Sequence, residues 1–235
     1  MPRPLPIRDL PIRDLGRKAA SLLAALACAA LAAYAFAYLS GAYRPDNLFD
    51  VQFALSGLDV PGHLFGAGLA LLLVPLQSSA WIRRRWPRLH RLGGWLSAGA
   101  ILIGGLSGLS LARHAQGGAA SGAGFALLAL VWIAVTAVGI GYAVAGDATR
   151  HRRWMWRSIA LTASALTLRI ILGVGTGPLR MDFPPVYVFA AWSCWTFNLA
   201  VCETLLRWRR SAPAAAARPG PDPADTRSAS GRAGA

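Results

Sequence analysis

The sequence predicts an all-α fold, an integral membrane helical bundle with six transmembrane helices. Three observations carry this. Apolar residues make up 55% of the 235-residue chain and charged residues only 14%, against about 25% charged in soluble domains. The apolar residues gather into six runs of about 17–24 residues, the length that crosses a hydrocarbon core about 30 Å thick. The charges lie between the runs, with an arginine excess that alternates from one connection to the next. A soluble enzyme, a disulfide scaffold and a disordered chain are excluded. So is a transmembrane β-barrel, which needs alternating segments of about ten residues.

Residues 1–18 read as a basic cytoplasmic arm with the pentapeptide PIRDL duplicated at 6–15 and no fold of its own. The first apolar run is 19–39. It can also be read as a signal peptide, since Ala33-Tyr34-Ala35 resembles a small-x-small cleavage site. Its length, and the odd number of spans that cleavage would leave, favour a retained first span. A second span is expected at 60–77, with Pro61 in its first turn, where a missing N–H costs nothing. The third, 93–113, is glycine-rich. Gly62 with Gly66, and Gly104 with Gly108, form two GxxxG pairs that let helix backbones approach closely.

The fourth span is expected at 123–145, after a short glycine-rich loop. Asp147 suits the N-cap of an interfacial segment at 148–157 that feeds a fifth span at 158–174. Gly173, Gly175, Gly177 and Pro178 end that helix. The sixth span, 186–206, is anchored by Trp208 beside Arg207, Arg209 and Arg210. The transmembrane domain thus covers 19–208, and 209–235 has too little apolar content to fold, so a disordered cytoplasmic tail is expected.

There are 24 Lys+Arg against 10 Asp+Glu, a net charge of +14. Twenty of the basic residues fall in the N-terminal segment, the 78–92 and 147–157 connections and the tail. The opposite connections hold three, Arg44, Arg113 and Arg180, beside Asp46, Asp50, Asp59 and Asp182. This positive-inside partition places both termini in the cytoplasm and makes the number of spans even. The partner it implies is the lipid bilayer, with anionic head groups at the basic loops at about 1 kcal/mol per residue. No nucleic acid is expected, since that would need basic residues interleaved with aromatics on a folded surface. Cys28, Cys194 and Cys202 lie inside apolar runs and read as small buried residues.

Polar groups inside the spans are the informative ones. Arg169 sits about 16 Å from the inner edge of the fifth span, with Asn198 at similar depth in the sixth and Glu203 nearer the cytoplasm. Two readings stand side by side. In one, Arg169 and Asn198 or Glu203 form a structural clasp. In the other they form a ligand site for a small polar, anionic or carbonyl-bearing molecule, in a binding or transport-like module.

The four histidines divide between the faces. His63 and His114 fall at outer helix ends, and His90 and His151 in the inner basic loops. Facing imidazoles are what bis-His haem requires, which gives the alternative of a b-type haem membrane electron carrier. A transition metal would also be served. Histidine is equally comfortable solvated at a membrane boundary. His90 and His114 are 24 residues apart, about 36 Å of helix, so one haem is less strained than two. A third alternative is a structural or accessory subunit. The chain has a single glutamate and no nucleotide-binding loop, HExxH or GxSxG, which speaks against a hydrolase. An enzyme built here would be a membrane redox protein.

An ordered series of motifs runs through the domain: HLFG at 63–66, VPLQ at 74–77, WPRLHRLGG at 86–94, LSGL at 106–109 and HAQGG at 114–118. It continues with GFALLALVW at 124–132, GDATRHRRWMWRS at 146–158 and LTLR at 166–169. Over roughly residues 60–205 the chain resembles a family of bacterial predicted membrane proteins, domain of unknown function 2306. The resemblance implies a multi-pass topology, which with the charge pattern sets the expected location as a bacterial inner membrane, and it supplies no reaction. It sets the four histidines, Arg169 and the His151–Arg153 loop inside recurring motifs.

Overall fold

The computed structural model describes residues 11–41 and 57–216. Among these it is all helical: α1 (Pro11–Leu39), α2 (Asp59–Ser78), α3 (Ala80–Arg85), α4 (Pro87–Leu111), α5 (Gly118–Val144), α6 (Ala148–Thr162), α7 (Ser164–Thr176) and α8 (Phe183–Ala216). A 3₁₀ turn, Ala112–His114, ends α4. Six segments are long and apolar enough to cross a membrane, with α6 and α7 together forming the fifth. The most apolar window of each span is only 17–33% buried within the protein. Most of its apolar surface therefore faces lipid, which takes the place of a soluble protein's large core.

The boundaries differ from the sequence expectation at both ends. α1 begins at Pro11, so the second PIRDL copy is helical and not part of a structureless arm. α8 runs on to Ala216, beyond the expected tail boundary, through an alanine-rich stretch of high helix propensity. The other expected arm and tail residues lie outside the described ones. His90 lies in the first turn of α4 and His151 within α6, so neither is in a loop. Asp147 caps α6 as expected, its side chain accepting from the Arg150 N–H at 2.8 Å. Gly117 and Gly118, with φ of 85° and 71°, make the tight link from α4 to α5 in a conformation that suits glycine.

The closest helix pair is α2 with α4, and the two GxxxG pairs explain it. A Cβ on Gly66 would strike the backbone of Gly104 and Ala100, and one on Gly104 would lie 2.8 Å from Ala67 N. Gly62 faces Ser107 and Gly108 faces His63 in the same seam. The motifs thus pack against each other within one chain. α1 lies on α2 through Cys28, Ala32 and Leu71, with Ala165 and Leu166 of α7 closing that cluster. A second cluster, around Ile101, Trp132, Leu161, Cys194 and Trp195, joins α4, α5, α6 and α8.

The fifth span is interrupted at Ala163, a feature the sequence expectation of one continuous helix lacked. Two hydroxyls turn back onto the helix there: Thr162 Oγ1 donates to Ser158 O (2.9 Å) and Ser164 Oγ to Ala160 O (3.4 Å). Such back-bonding competes with the helical ladder and bends helices. Inside a membrane the break must be satisfied by neighbouring groups, and Asn198 of α8 does this. Its Nδ2 donates to Ala160 O (3.1 Å) on one side of the break. Its Oδ1 accepts from Thr167 Oγ1 (3.0 Å) on the other.

Candidate intramembrane polar site

The six spans define two ends of the bundle, a basic end bearing Arg83–Arg91 and Arg150–Arg157 and the opposite end. At the basic end, the carboxylate of Glu203 on α8 takes both Nε and Nη2 of Arg157 on α6. The Arg157 guanidinium also lies 4.8 Å from the centre of the Trp154 ring. The pairing follows from continuity: α6 carries Arg157 from the interface into the span at the level of Glu203.

From there a ladder of hydrogen bonds climbs the α5–α6 seam. His151 Nδ1 meets Gly139 O at 2.8 Å, Thr136 Oγ1 meets Ser158 Oγ at 2.7 Å, and Trp132 Nε1 donates to Thr162 Oγ1 at 3.0 Å. Trp132 with Thr136, and Ser158 with Thr162, each repeat at four residues, so each pair shares a helix face. Sequence reading missed these four residues. Their matching i, i+4 spacing in consecutive spans was the available signal.

The expected clasp of Arg169 with Asn198 or Glu203 does not form. Asn198 is committed to the helix break and Glu203 to Arg157. The break at Ala163 sets the rotation of α7, turning Thr167 to α8 and Arg169 to the side of α7 on which Ala165 and Leu166 meet α1 and α2. Arg169 is exposed, and its one hydrogen bond among the described residues is a long one, 3.4 Å from Nη1 to Ala165 O of its own helix. His63 of α2, Tyr34 of α1 and Tyr187 of α8 lie within electrostatic range of Arg169. Tyr187 is fixed between Phe183 and Phe125, with ring centres 5.2 and 5.3 Å away.

The histidines separate by level. His63 Nδ1 lies 2.8 Å from Gly104 O across the α2–α4 seam. A carbonyl only accepts, so Nδ1 carries a proton and donates it there. The same holds for His151 against Gly139 O. His114 is exposed in the 3₁₀ turn, at least about 10 Å further along than Ser107, which faces Gly62 beside His63. His63 and His114 are therefore at different levels. His90 and His151 lie within electrostatic reach of each other. His90 is engaged by Gln77, whose amide nitrogen, turned to satisfy its neighbours, donates to His90 O (3.3 Å) and Nδ1 (3.2 Å). No group of three or more His, Cys, Asp or Glu residues able to hold a metal forms among the described residues.

A polar rim closes the end opposite the basic one. Ser110 Oγ donates to Asp59 Oδ2 at 2.5 Å and receives Arg113 Nη2 at 2.6 Å. Beside it, an open and mostly apolar groove of about 730 Å³ runs between α4 and α5, away from Arg169. The family model for predicted membrane proteins DUF2306 matches residues 60–206. No curated protein and no solved structure matches the chain.

Proposed function

For this chain, which belongs to the DUF2306 family of predicted membrane proteins, we propose a membrane binding module that holds a small anionic or carbonyl-bearing molecule at Arg169. The observation that carries this is the state of Arg169, a cation well inside the fifth span whose hydrogen bonding among the described residues is a single 3.4 Å contact with its own helix. An intramembrane charge is costly and is normally paired. A guanidinium presents five donors in a planar fork suited to carboxylate-like oxygens, and here it keeps nearly all of them for a ligand. Asn198 serves as the group that fixes α7, and Glu203 as the partner of Arg157, so of the three residues only Arg169 makes direct contact. The test is native mass spectrometry of protein purified from membranes. Wild type retains an anionic small molecule that the Arg169→Gln protein lacks, and bare wild-type protein refutes the reading.

A second reading rests on His63 and His151, each as a single axial ligand at its own end of the bundle. An Nδ1–H held by a backbone carbonyl is how ligating histidines are oriented, and b-type haem would use the Nε2 of the neutral ring. A reduced-minus-oxidised spectrum decides. An α-band lost in His63→Ala or His151→Ala supports it, and a spectrum without the band removes it. We further infer that the basic end faces the cytoplasm of a bacterial cell, where its arginines meet anionic head groups.

A further inference from the structure

Three features at Arg169 bear on what kind of molecule reaches it. The first is exposure: Arg169 and its neighbour Ile170 are both exposed, although they lie within a candidate span. α7 packs along α8 and only lightly against α1, so the protein leaves the flank of α7 between those two helices uncovered at this level. The second is depth. Arg169 lies seven residues before the end of α7 at Thr176, about 10 Å at 1.5 Å per residue. The third is direction. Its contact with Ala165 O draws the guanidinium toward the N-terminus of α7, as helical side chains lean, and hence toward the middle of the membrane.

We propose that the ligand of this site is a membrane-soluble organic acid, a compact carboxylate head on an apolar chain, that enters sideways from the bilayer between α1 and α8. The proposal rests on the binding reading above and names its ligand class. A water-soluble anion would have to cross the apolar layer to reach a guanidinium that opens sideways. A phospholipid keeps its phosphate in the head-group region, well above this depth. An amphiphilic acid keeps its apolar chain in the hydrocarbon throughout, and its carboxylate, the proton left to water at the head-group region, can give both oxygens to the guanidinium fork. The exposed Phe65 and Tyr34 and the Phe183–Tyr187 stack supply apolar and aromatic surface on the helices around Arg169.

The experiment uses the full chain in lipid nanodiscs with a dansyl-labelled undecanoic acid as probe. Protein-free discs of the same lipid give the background from simple partitioning. The expected result is saturable binding by wild type, displaced by unlabelled long-chain fatty acid but not by acetate or inorganic phosphate. It weakens about tenfold or more in Arg169→Gln, the loss of a charge-assisted pair. Arg169→Lys, which keeps the charge without the fork, binds at an intermediate level and carries the comparison if the glutamine variant does not accumulate. Displacement by acetate or phosphate as effective as by fatty acid overturns the lateral amphiphile and leaves an anion site. Displacement by phosphatidylglycerol in the discs overturns the depth argument. Absence of saturable binding by any of these anions overturns both this inference and the reading on which it rests.

Discussion

Thr136 and Ser158 share one hydrogen bond between two spans, 2.7 Å long and buried. In lipid such a bond competes with whatever partners each hydroxyl finds in the unfolded, membrane-inserted chain, so its net worth is modest, averaging about 0.6 kcal/mol. A double-mutant cycle of Thr136→Val and Ser158→Ala should therefore show a coupling near that value in reversible unfolding from detergent–lipid mixtures. A coupling of zero would mean the hydroxyls serve only their own helices. Arg157 and Glu203 present a larger interaction at a wetter site. The Glu203 side chain keeps 35% of its exposure, so the pair falls short of the 3–5 kcal/mol lost on breaking a dry ion pair. An Arg157→Gln, Glu203→Gln cycle should return a coupling of about 1 kcal/mol, falling in high salt. These partners were illegible in the sequence because pairing depends on rotation. Glu203 lies nearer the level of Arg157 than of Arg169, but whether either cation turns toward α8 depends on the rotations of α6 and α7 on the two sides of Ala163.

At the scale of elements, the spans were readable because bilayer thickness imposes a length that composition reveals directly. Their seams were half readable. The two GxxxG pairs announced close approach without naming the partner, which proved to be each other, Gly66 against Gly104. A Gly66→Val change would push a branched side chain into the Gly104 and Ala100 backbone and should cost about 1–3 kcal/mol by overpacking, seen as a lower Tm. Gly99 lies in α4 beside Ala100, and a Cβ there would meet nothing within 4 Å. Gly99→Ala should therefore be neutral or stabilising, by up to about 1 kcal/mol from helix propensity. Equal losses at both positions would refute the packing argument. The break at Ala163 was not readable, since Thr162 and Ser164 are unremarkable in a span until their hydroxyls are seen folding back. Asn198→Leu removes the side chain that bridges the break. Amide exchange should rise across residues 160–167 and stay unchanged in α5. A rise spread evenly over all helices would mean Asn198 supports the whole bundle instead.

For the molecule as a whole, the arginines and the helix count make one joint statement. With six spans, the start of α1 and the end of α8 lie at the same end, and that end carries the Arg83–Arg91 and Arg150–Arg157 connections. Orientation is biased by lysine and arginine in short loops, while acidic residues contribute little. Reporter fusions at either terminus should thus report the same compartment, the cytoplasm, and a fusion between α4 and α5 the opposite one. Replacing Arg83, Arg84, Arg85, Arg88 and Arg91 with glutamine should yield a mixed population, because it strips one basic connection while Arg44, Arg113 and Arg180 stay in place. If the termini were found on opposite sides, the count of crossings would be odd. Arg169 would then no longer be fixed about 10 Å below the end of its span, and a ligand drawn from the bilayer would have no defined depth at which to meet it.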